Sequence, residues 1–394
     1  METTSFVLHP GRPLELPVAD WNSPHTLVLA LGCPTAQPFA RTAESLSDRF
    51  PAAKVVYFRA PGVSHVHSWG APGINGIIGR FEHTRLGMFS VGTRQPVDSF
   101  KSGTTLARQL VQFDTDLRGA LLFVDRQHIS VEDFLAGFNG RGPRIPILGG
   151  LTDGAPQVTG ISASSRGRMR RSMAVVVGFY GQSLRMSVGI ESGFSPCRHR
   201  WKVTRADGRR ILELDGKPAL TRYREALGPL AARLPSVSIQ FPLGLESSIH
   251  PGMYVVRSVL SIDYATESMT IDGGVAEGAH VSLMYANPNE LLEATDALGR
   301  QAVLQLGRNA NALGINACCV IRRAQLGTRF DEEPQRLRNL LPPGIAHTAF
   351  FSKGCVAGDG TRDSSLHGQS SVYALIGEEQ PVRALRMECA VVNA

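Results

Sequence analysis

Short apolar runs alternate with amphipathic stretches along the first part of the chain. The run at 26–31 is apolar after its first residue and ends at Gly32, which is typical of a strand buried on both faces. Apolar residues then recur at helical spacing up to Pro51, and a second apolar run follows at 54–58. A strand, a helix and a strand within about thirty residues predict a βαβ unit and a parallel pair of strands.

The same alternation returns before residue 150. Its predicted elements are strand 87–91, helix 102–113, strand 119–125, helix 130–138 and strand 144–148. The segment 57–80 is rich in Gly, Pro and His, so we expect long loops there. Together these patterns predict an α/β layer built on a βαβ-type mixed sheet.

Beyond residue 170 the pattern changes to hairpins, followed by mixed elements. The predicted strands are 173–179, 183–191, 201–204, 210–214, 237–241, 252–261, 268–271, 279–285, 347–351 and 371–376, with helices at 218–227, 288–305 and 332–341. The fold class is therefore α/β with an α+β second half: antiparallel hairpins follow the first layer, and a second mixed α+β domain follows them. We predict domains at 25–221 and 222–377.

Length and composition fit two folded domains without a membrane span. The chain has 394 residues, and no stretch supplies the roughly eighteen consecutive apolar residues of a membrane helix. The N-terminal stretch lacks the unbroken apolar core of a signal peptide, and six scattered cysteines form no C-x-x-C pair. We therefore expect a cytoplasmic protein with reduced thiols and no membrane insertion.

Positive charge is concentrated in one region of the chain. Residues 141–210 hold thirteen Lys and Arg against three acids, while the whole chain has a net charge of +7. This excess fits a solvated basic face, an anionic ligand or an acidic partner. No recognition helix, zinc-finger spacing or RNP-like strand accompanies it, so we expect no nucleic-acid partner.

A glycine-rich segment follows the predicted strand at 144–148. Gly149, Gly150 and Asp153 lie where open α/β sheets bind ligands, at the carboxyl end of a strand. Glycines allow successive N–H groups to turn toward one point and hold an anion. We predict an anion-binding turn here, with a plain tight turn as the alternative.

Arg257 stands within an apolar strand, where an isolated guanidinium is costly. It is a candidate clamp for a ligand carboxylate, and the alternative is an internal salt bridge with Asp263 or Glu277. The chain has no G-x-S-x-G or H-E-x-x-H motif and no carboxylate pair at a spacing that imposes acid–base roles, so we expect no enzyme.

Several phrases resemble the FIST (F-box and intracellular signal transduction) family, whose N-terminal and C-terminal modules occur together in bacterial signalling proteins. The closest stretch is 175–228, which includes Trp-Lys-Val-Thr-Arg-Ala-Asp-Gly at 201–208 and Glu-Leu-Asp-Gly-Lys-Pro-Ala-Leu at 213–220. Glu-Gly-Ala-His-Val at 277–281 and Leu-His-Gly-Gln-Ser at 366–370 are similar to landmarks of the C-terminal module.

The resemblance implies a sensory protein that binds a small ligand, amino-acid-like or otherwise anionic, in its N-terminal module or between the modules. It adds His367 to the candidate ligand contacts, with a structural histidine as the alternative. Some relatives are haem-based nitric oxide sensors, so a haem-based sensor is an alternative to the expectation of no cofactor. An uncharacterised α/β enzyme is a further alternative to the sensor. His65 and His67 alone are a weak metal or haem signal. Output would pass through a separate protein such as a histidine kinase.

The chain departs from the family pattern at two places. Tyr57-Phe58-Arg59-Ala60-Pro61-Gly62 stands where many relatives have a small Gly-Cys-containing turn, and the segment 350–355 lacks the usual acid. If those positions hold a ligand's amino group in relatives, this chain prefers another ligand.

Overall fold

The computed structural model describes residues 1–8, 16, 18, 20–32, 39–63, 73–92, 98–153, 160–247, 252–306 and 311–379. Its strands, in chain order, are β1 (Glu2–Leu8), β2 (Thr26–Gly32), β3 (Lys54–Arg59), β4 (Ile74–Arg80), β5 (Arg85–Gly92), β6 (Leu117–Asp125), β7 (Pro146–Thr152), β8 (Ile161–Ser164), β9 (Arg170–Tyr180), β10 (Leu184–Glu191), β11 (Ser195–Asp207), β12 (Arg210–Leu214), β13 (Lys217–Pro218), β14 (Leu243–Glu246), β15 (Tyr254–Arg257), β16 (Val259–Asp263), β17 (Ser268–Ile271), β18 (His280–Tyr285), β19 (Ala312–Cys319), β20 (Ala346–Ser352), β21 (Cys355–Asp359), β22 (Ser365–His367) and β23 (Ser371–Glu378). The α-helices are α1 (Phe39–Arg49), α2 (Ser99–Phe113), α3 (Val131–Asn139), α4 (Ala219–Leu227), α5 (Pro288–Leu306), α6 (Val320–Leu326) and α7 (Glu332–Leu340).

Eleven of these strands form one large mixed sheet. Its order is β1-β4-β2-β3-β8-β9-β6-β7-β21-β22, with β5 paired to β9. The pairs β2–β3 and β6–β7 are parallel, as the two βαβ patterns predict. Helices α2 and α3 cover one face of this sheet over a cluster that includes Leu106, Leu122 and Phe134.

The opposite face of the large sheet packs against a second sheet, whose order is β10-β23-β19-β20. Their shared core includes Leu27, Phe58 and Phe123 from the large sheet and Phe350 and Val372 from the second. Helices α5 and α7 cover the outer face of the second sheet. The result is a four-layer arrangement in which two sheets lie between helices, and it confirms the predicted α/β class with an α+β second half.

A third sheet follows the order β15-β14-β18-β11-β12-β17-β16, with β13 paired to β12. Its two end strands are separated in sequence by Ser258 alone, so the sheet curls back on itself. The predicted single strand at 252–261 is thus wrong, since it is two strands on opposite edges. The core of this sheet packs under α4 and includes Trp201, Leu214 and Tyr223.

Two other local predictions are wrong. The segment predicted as a strand at 237–241 contains a 3-10 helix, Ser236–Ile239. Pro235 and Pro242 flank it, and neither has an N–H to offer a strand ladder. The expected loops at 57–80 include β4, where glycine serves close packing: a Cβ at Gly76 would lie 2.4 Å from the carbonyl oxygen of Leu29.

The predicted boundary at residue 221 falls inside α4. Strands from each side of it share sheets: β21 pairs with β7 in the large sheet, and β10 pairs with β23 in the second sheet. These pairings join the two halves of the chain. The division into domains at 25–221 and 222–377 stays a prediction.

Candidate ligand-binding cleft

A cleft of about 800 Å³ opens where strands from both halves of the chain meet. One wall is the end of β10 and the residues after it, 186–194. A second wall is the β14–β15 hairpin, and a third is the β21–β22 hairpin with its connecting residues. Gln301 and Gln305 of α5 and Ser370, directly before β23, also line the cleft. The cleft therefore depends on tertiary pairings across the chain.

The described residues that line this cleft carry four carboxylates and one guanidinium. Three carboxylates have partners within the protein: Glu246 lies 2.8 Å from Arg200, Asp363 accepts from Arg144 at 3.1 Å, and Asp359 accepts from the Thr361 hydroxyl at 2.7 Å. The remaining carboxylate is Glu191, and the guanidinium is that of Arg362.

Glu191 is the last residue of β10, opposite Ser371 of β23. Its side chain is half-buried and has no hydrogen bond or ion pair to another described residue. Burial raises the pKa of Glu191, and the nearby Arg322 opposes that rise. A carboxylate in this state gains from a cationic hydrogen-bond donor placed in the cleft.

Arg362 faces the same cleft from the connection between β21 and β22. It is exposed, and no described residue forms an ion pair with it. The charge of Arg362 lowers the pKa of Asp359 and that of His367. In both cases burial and hydrogen bonding have larger effects on the pKa. Among the described residues that line the cleft, Arg362 is thus a guanidinium without an ion pair, and Glu191 is a carboxylate without a hydrogen bond or ion pair.

His367 lines the cleft from β22, as the resemblance implied for a ligand contact. Its Nε2 lies 2.9 Å from the Ser365 hydroxyl oxygen. Burial, reinforced by Arg257, lowers the pKa of His367 to about 4. The imidazole is therefore neutral at pH 7 and is a hydrogen-bonding group there, not a cation. Its contact with a ligand stays a prediction, with a structural histidine as the alternative.

Arg257 ends β15 and is 9% exposed. Its Nη1 donates to the carbonyl oxygen of Leu366 at 2.8 Å, and its guanidinium packs on Gly273, where a Cβ would lie 2.6 Å from its Cζ. Burial lowers the pKa of Arg257, and the charges of Asp272 and Glu132 oppose that effect.

The partners proposed for Arg257 in an internal salt bridge are wrong. Asp263 pairs with Arg210 at 2.6 Å, and Glu277 accepts from the Ala206 amide at 3.1 Å. The curl of the third sheet turns Arg257 toward β22 instead.

The predicted glycine turn is also wrong in its local structure. Gly149 and Gly150 lie inside β7, between β6 and β21. A Cβ at Gly149 would lie 1.8 Å from the Leu122 carbonyl oxygen, and one at Gly150 would lie 2.7 Å from the Phe350 ring. Glycine here allows close packing of neighbouring strands and the second sheet, so the pair forms no anion-binding turn.

Asp153 follows β7 and forms ion pairs with Arg126 and Lys353, each at 3.4 Å. These two cations line a second cavity of about 540 Å³ beside the start of α3, which Asp272 and Leu366 also line. The five residues predicted as one site therefore lie around the β7–β21–β22 region without sharing one cavity. His65 and His67 lie outside the described residues.

Glu191 and Arg362 were not predicted as site residues. The only sequence signal for Glu191 was its place in the family-like stretch at 175–228, and Arg362 had none. Within the described ranges, no group of three or more His, Cys, Asp or Glu is placed to hold a metal ion. None of the described helices has the length and apolar character that a membrane crossing requires.

Two family models match the chain, and they define the class of protein as a sensory module of signal transduction. The FIST N domain matches residues 26–217, and the FIST C domain matches residues 219–357. The chain therefore belongs to the FIST family, as the sequence resemblance predicted.

Among curated proteins, the chain is similar to the uncharacterized protein Mb0898c of Mycobacterium bovis and to MT0897 of Mycobacterium tuberculosis. Each is 30% identical over 213 residues, which is 52% of this chain and 54% of the relative. The chain thus spans about half the length of these relatives.

Two solved structures align with the chain at low similarity. A chorismatase is 9% identical, with 95% of this chain and 98% of that chain covered and a TM-score of 0.35. A cyanuric acid hydrolase is 8% identical, with 96% and 99% covered and a TM-score of 0.36. Likeness at this level says nothing about activity.

Proposed function

We propose that this FIST protein is a sensor that binds a small amino-acid-like ligand in the 800 Å³ cleft and acts by binding, without catalysis. The observation that carries the proposal is the pair of unpaired opposite charges, Glu191 and Arg362, on different walls of one cleft. A ligand ammonium group would donate to the Glu191 carboxylate, and a ligand carboxylate would accept from the Arg362 guanidinium.

The signal would arise from a shift between open and closed arrangements of the cleft walls. A ligand shifts such an equilibrium only if it binds one arrangement more tightly. A zwitterion that contacts both Glu191 and Arg362 does so, because the two groups belong to different walls of the cleft. A separate signalling protein, such as a histidine kinase, would read the change.

We place this activity in the cytoplasm. The four cysteines that the structure describes, Cys197, Cys318, Cys319 and Cys355, are free thiols. Three of them are buried, and free thiols suit a reducing compartment.

A thermal-shift screen followed by calorimetric titration tests the proposal. The panel contains the twenty standard amino acids, ethylamine as an ammonium without a carboxylate, and acetate as the reverse. We expect one or more amino acids to bind, and both half-ligands to bind far more weakly. Glu191→Gln and Arg362→Met should each weaken binding by roughly ten- to a hundredfold, the equivalent of one charged hydrogen bond of about 1.5–3 kcal/mol.

The matched control is Glu213→Gln, which alters a strand glutamate of the third sheet that pairs with Arg205 at 3.0 Å and does not line the cleft. It should leave affinity unchanged. Absence of binding by every amino acid, or full affinity in Glu191→Gln, would contradict the proposal.

A further inference from the structure

A fully buried ion pair lies directly behind the cleft. Arg322 of α6 and Glu333 of α7 are 0% and 1% exposed, and Nη2 of Arg322 lies 2.9 Å from Oε1 of Glu333. Burial works against the charge of each group, yet the pairing keeps the pKa of Glu333 below its ordinary value. Replacing such a pair by apolar side chains is often neutral or stabilising, so stability alone does not explain it.

The guanidinium of Arg322 also donates to three backbone carbonyls. Nη1 donates to the carbonyl oxygens of Ser192 at 2.6 Å and Gln369 at 3.2 Å, and Nη2 donates to that of Leu291 at 3.2 Å. Arginine suits this task because its planar fork fixes several acceptors at once.

Two of these carbonyls belong to neighbouring wall segments of the cleft, 191–194 and 368–371, which meet at the end of the β10–β23 ladder. Ser192 lines the cleft directly after Glu191, and Gln369 lies directly before Ser370, which also lines it. Gln369 has φ = 49°, a left-handed conformation that a non-glycine residue adopts only where its surroundings hold it. One guanidinium therefore ties the end of β10 to the turn that precedes β23.

Glu333 connects the same point to the helices and the second sheet. Its carboxylate accepts from the Thr295 hydroxyl of α5 at 2.9 Å and from the Cys318 thiol of β19 at 3.1 Å. The orientation of Arg322 is thus set by Thr295, Glu333 and Cys318, none of which lines the cleft.

We propose that Arg322 is a positioning residue of the cleft, which holds the segment after Glu191 against the turn before β23, beyond the last pair of the β10–β23 ladder. Its role in ligand capture rests on the function proposed above, whereas its hold on the two walls does not. Arg322 contacts no ligand in this scheme and acts through the carbonyls of Ser192 and Gln369.

Hydrogen exchange without any ligand tests the hold on the walls. The variant Arg322→Met/Glu333→Met removes both charges and so leaves neither buried alone. We expect peptides that cover 191–194 and 368–371 to exchange at least about tenfold faster than in the wild type, because local opening becomes easier. Peptides from β6 should be unchanged.

Arg329→Met/Glu332→Met is the matched control, since it removes a neighbouring ion pair of 2.6 Å that is more than a third exposed and touches no cleft wall. It should leave exchange at both walls as in the wild type. If the first double variant does not fold, Arg322→Lys replaces it: the charge beside Glu333 is kept, and the fork to the carbonyls is lost.

Titration with the amino-acid panel gives the second readout. We expect at least tenfold weaker binding in Arg322→Met/Glu333→Met with a melting temperature near that of the wild type. Unchanged exchange at both walls, or faster exchange with unchanged affinity, would overturn the assignment of Arg322. If no amino acid binds the wild type, the proposed function fails, and the exchange experiment alone decides the hold on the walls.

Discussion

Replacing Arg257 by Met should destabilise the protein more than it weakens ligand binding. The substitution keeps an unbranched side chain of similar length but removes the charge and every donor. Arg257 is buried beside β22, where its Nη1 donates to the Leu366 carbonyl at 2.8 Å, and it does not line the 800 Å³ cleft. We therefore expect a folding defect with near-normal amino-acid affinity.

The expected loss in the free energy of unfolding is about 2–3 kcal/mol at neutral pH. A hydrogen bond to a charged group contributes about 1.5–3 kcal/mol, and its loss also leaves the Leu366 carbonyl without this donor. Asp272 then loses the cation that offsets its burial. Since Asp272 still accepts from the Ser258 amide at 2.9 Å, the loss stays below that of a fully broken buried pair, about 3–5 kcal/mol.

The loss should depend on pH with a defined sign. Burial raises the folded-state pKa of Asp272, and Arg257 opposes that rise. Without Arg257 the folded-state pKa rises further above the unfolded value of about 3.9, so stability falls as pH rises between those two pKa values. The defect of Arg257→Met should therefore be smaller near pH 4 than near pH 7.

Urea denaturation of a double-mutant cycle provides the measurement. Asp272→Asn keeps an oxygen for the Ser258 amide and removes the charge, so Arg257→Met/Asp272→Asn should recover about 1 kcal/mol or more relative to additivity. Wild-type stability in Arg257→Met, or a defect that grows toward acid, would refute this reasoning. A large loss of amino-acid affinity at unchanged stability would restore Arg257 as a ligand clamp.

Three further predictions concern a strand glycine, a buried glutamate and haem. Gly149→Ala should cost at least about 2 kcal/mol by urea denaturation, since its Cβ would lie 1.8 Å from a backbone oxygen, whereas Gly274→Ala, with nothing within 4 Å, should be near neutral. Glu378 accepts from the amides of residues 82–84, which keep its pKa low against burial, so melting temperature should fall as pH drops below about 4.3, and Glu378→Gln should flatten that slope. Protein expressed with added haem should show no stoichiometric Soret band, and a band lost on replacing one His would contradict the expectation of no cofactor.

Elements with a strong local pattern were predictable from the sequence. β2 and β6 contain continuous buried apolar runs, and α3 has buried apolar residues at helical spacing. The local pattern alone therefore identifies these elements. Glycine misled the prediction at β4 and β7, because Gly76 and Gly149 look like turn residues in sequence. Glycine is needed at both positions because the backbone of a neighbouring strand approaches closely. A short sequence window around each glycine does not contain that strand.

The candidate site was less predictable, because its contacts join distant parts of the chain. Arg257 and Leu366 are 109 residues apart, and Arg322 and Ser192 are 130 residues apart. A charged residue in an apolar segment shows that a partner must exist, but not which one. The acids named for Arg257, Asp263 and Glu277, have other partners because the curl of the third sheet turns Arg257 toward β22.

The shared sheets also bear on how a ligand in this cleft would be sensed. β10 lies before the predicted boundary at 221 and the β21–β22 hairpin after it, yet both form cleft walls and both pair into sheets with strands from the other half. A rigid rotation of two separate domains would break those ladders. Adjustment confined to the segment after β10 and the turn at Gln369 would leave those ladders intact. We therefore expect ligand-dependent exchange to concentrate at 191–194 and 368–371, while β7 and β21 stay protected.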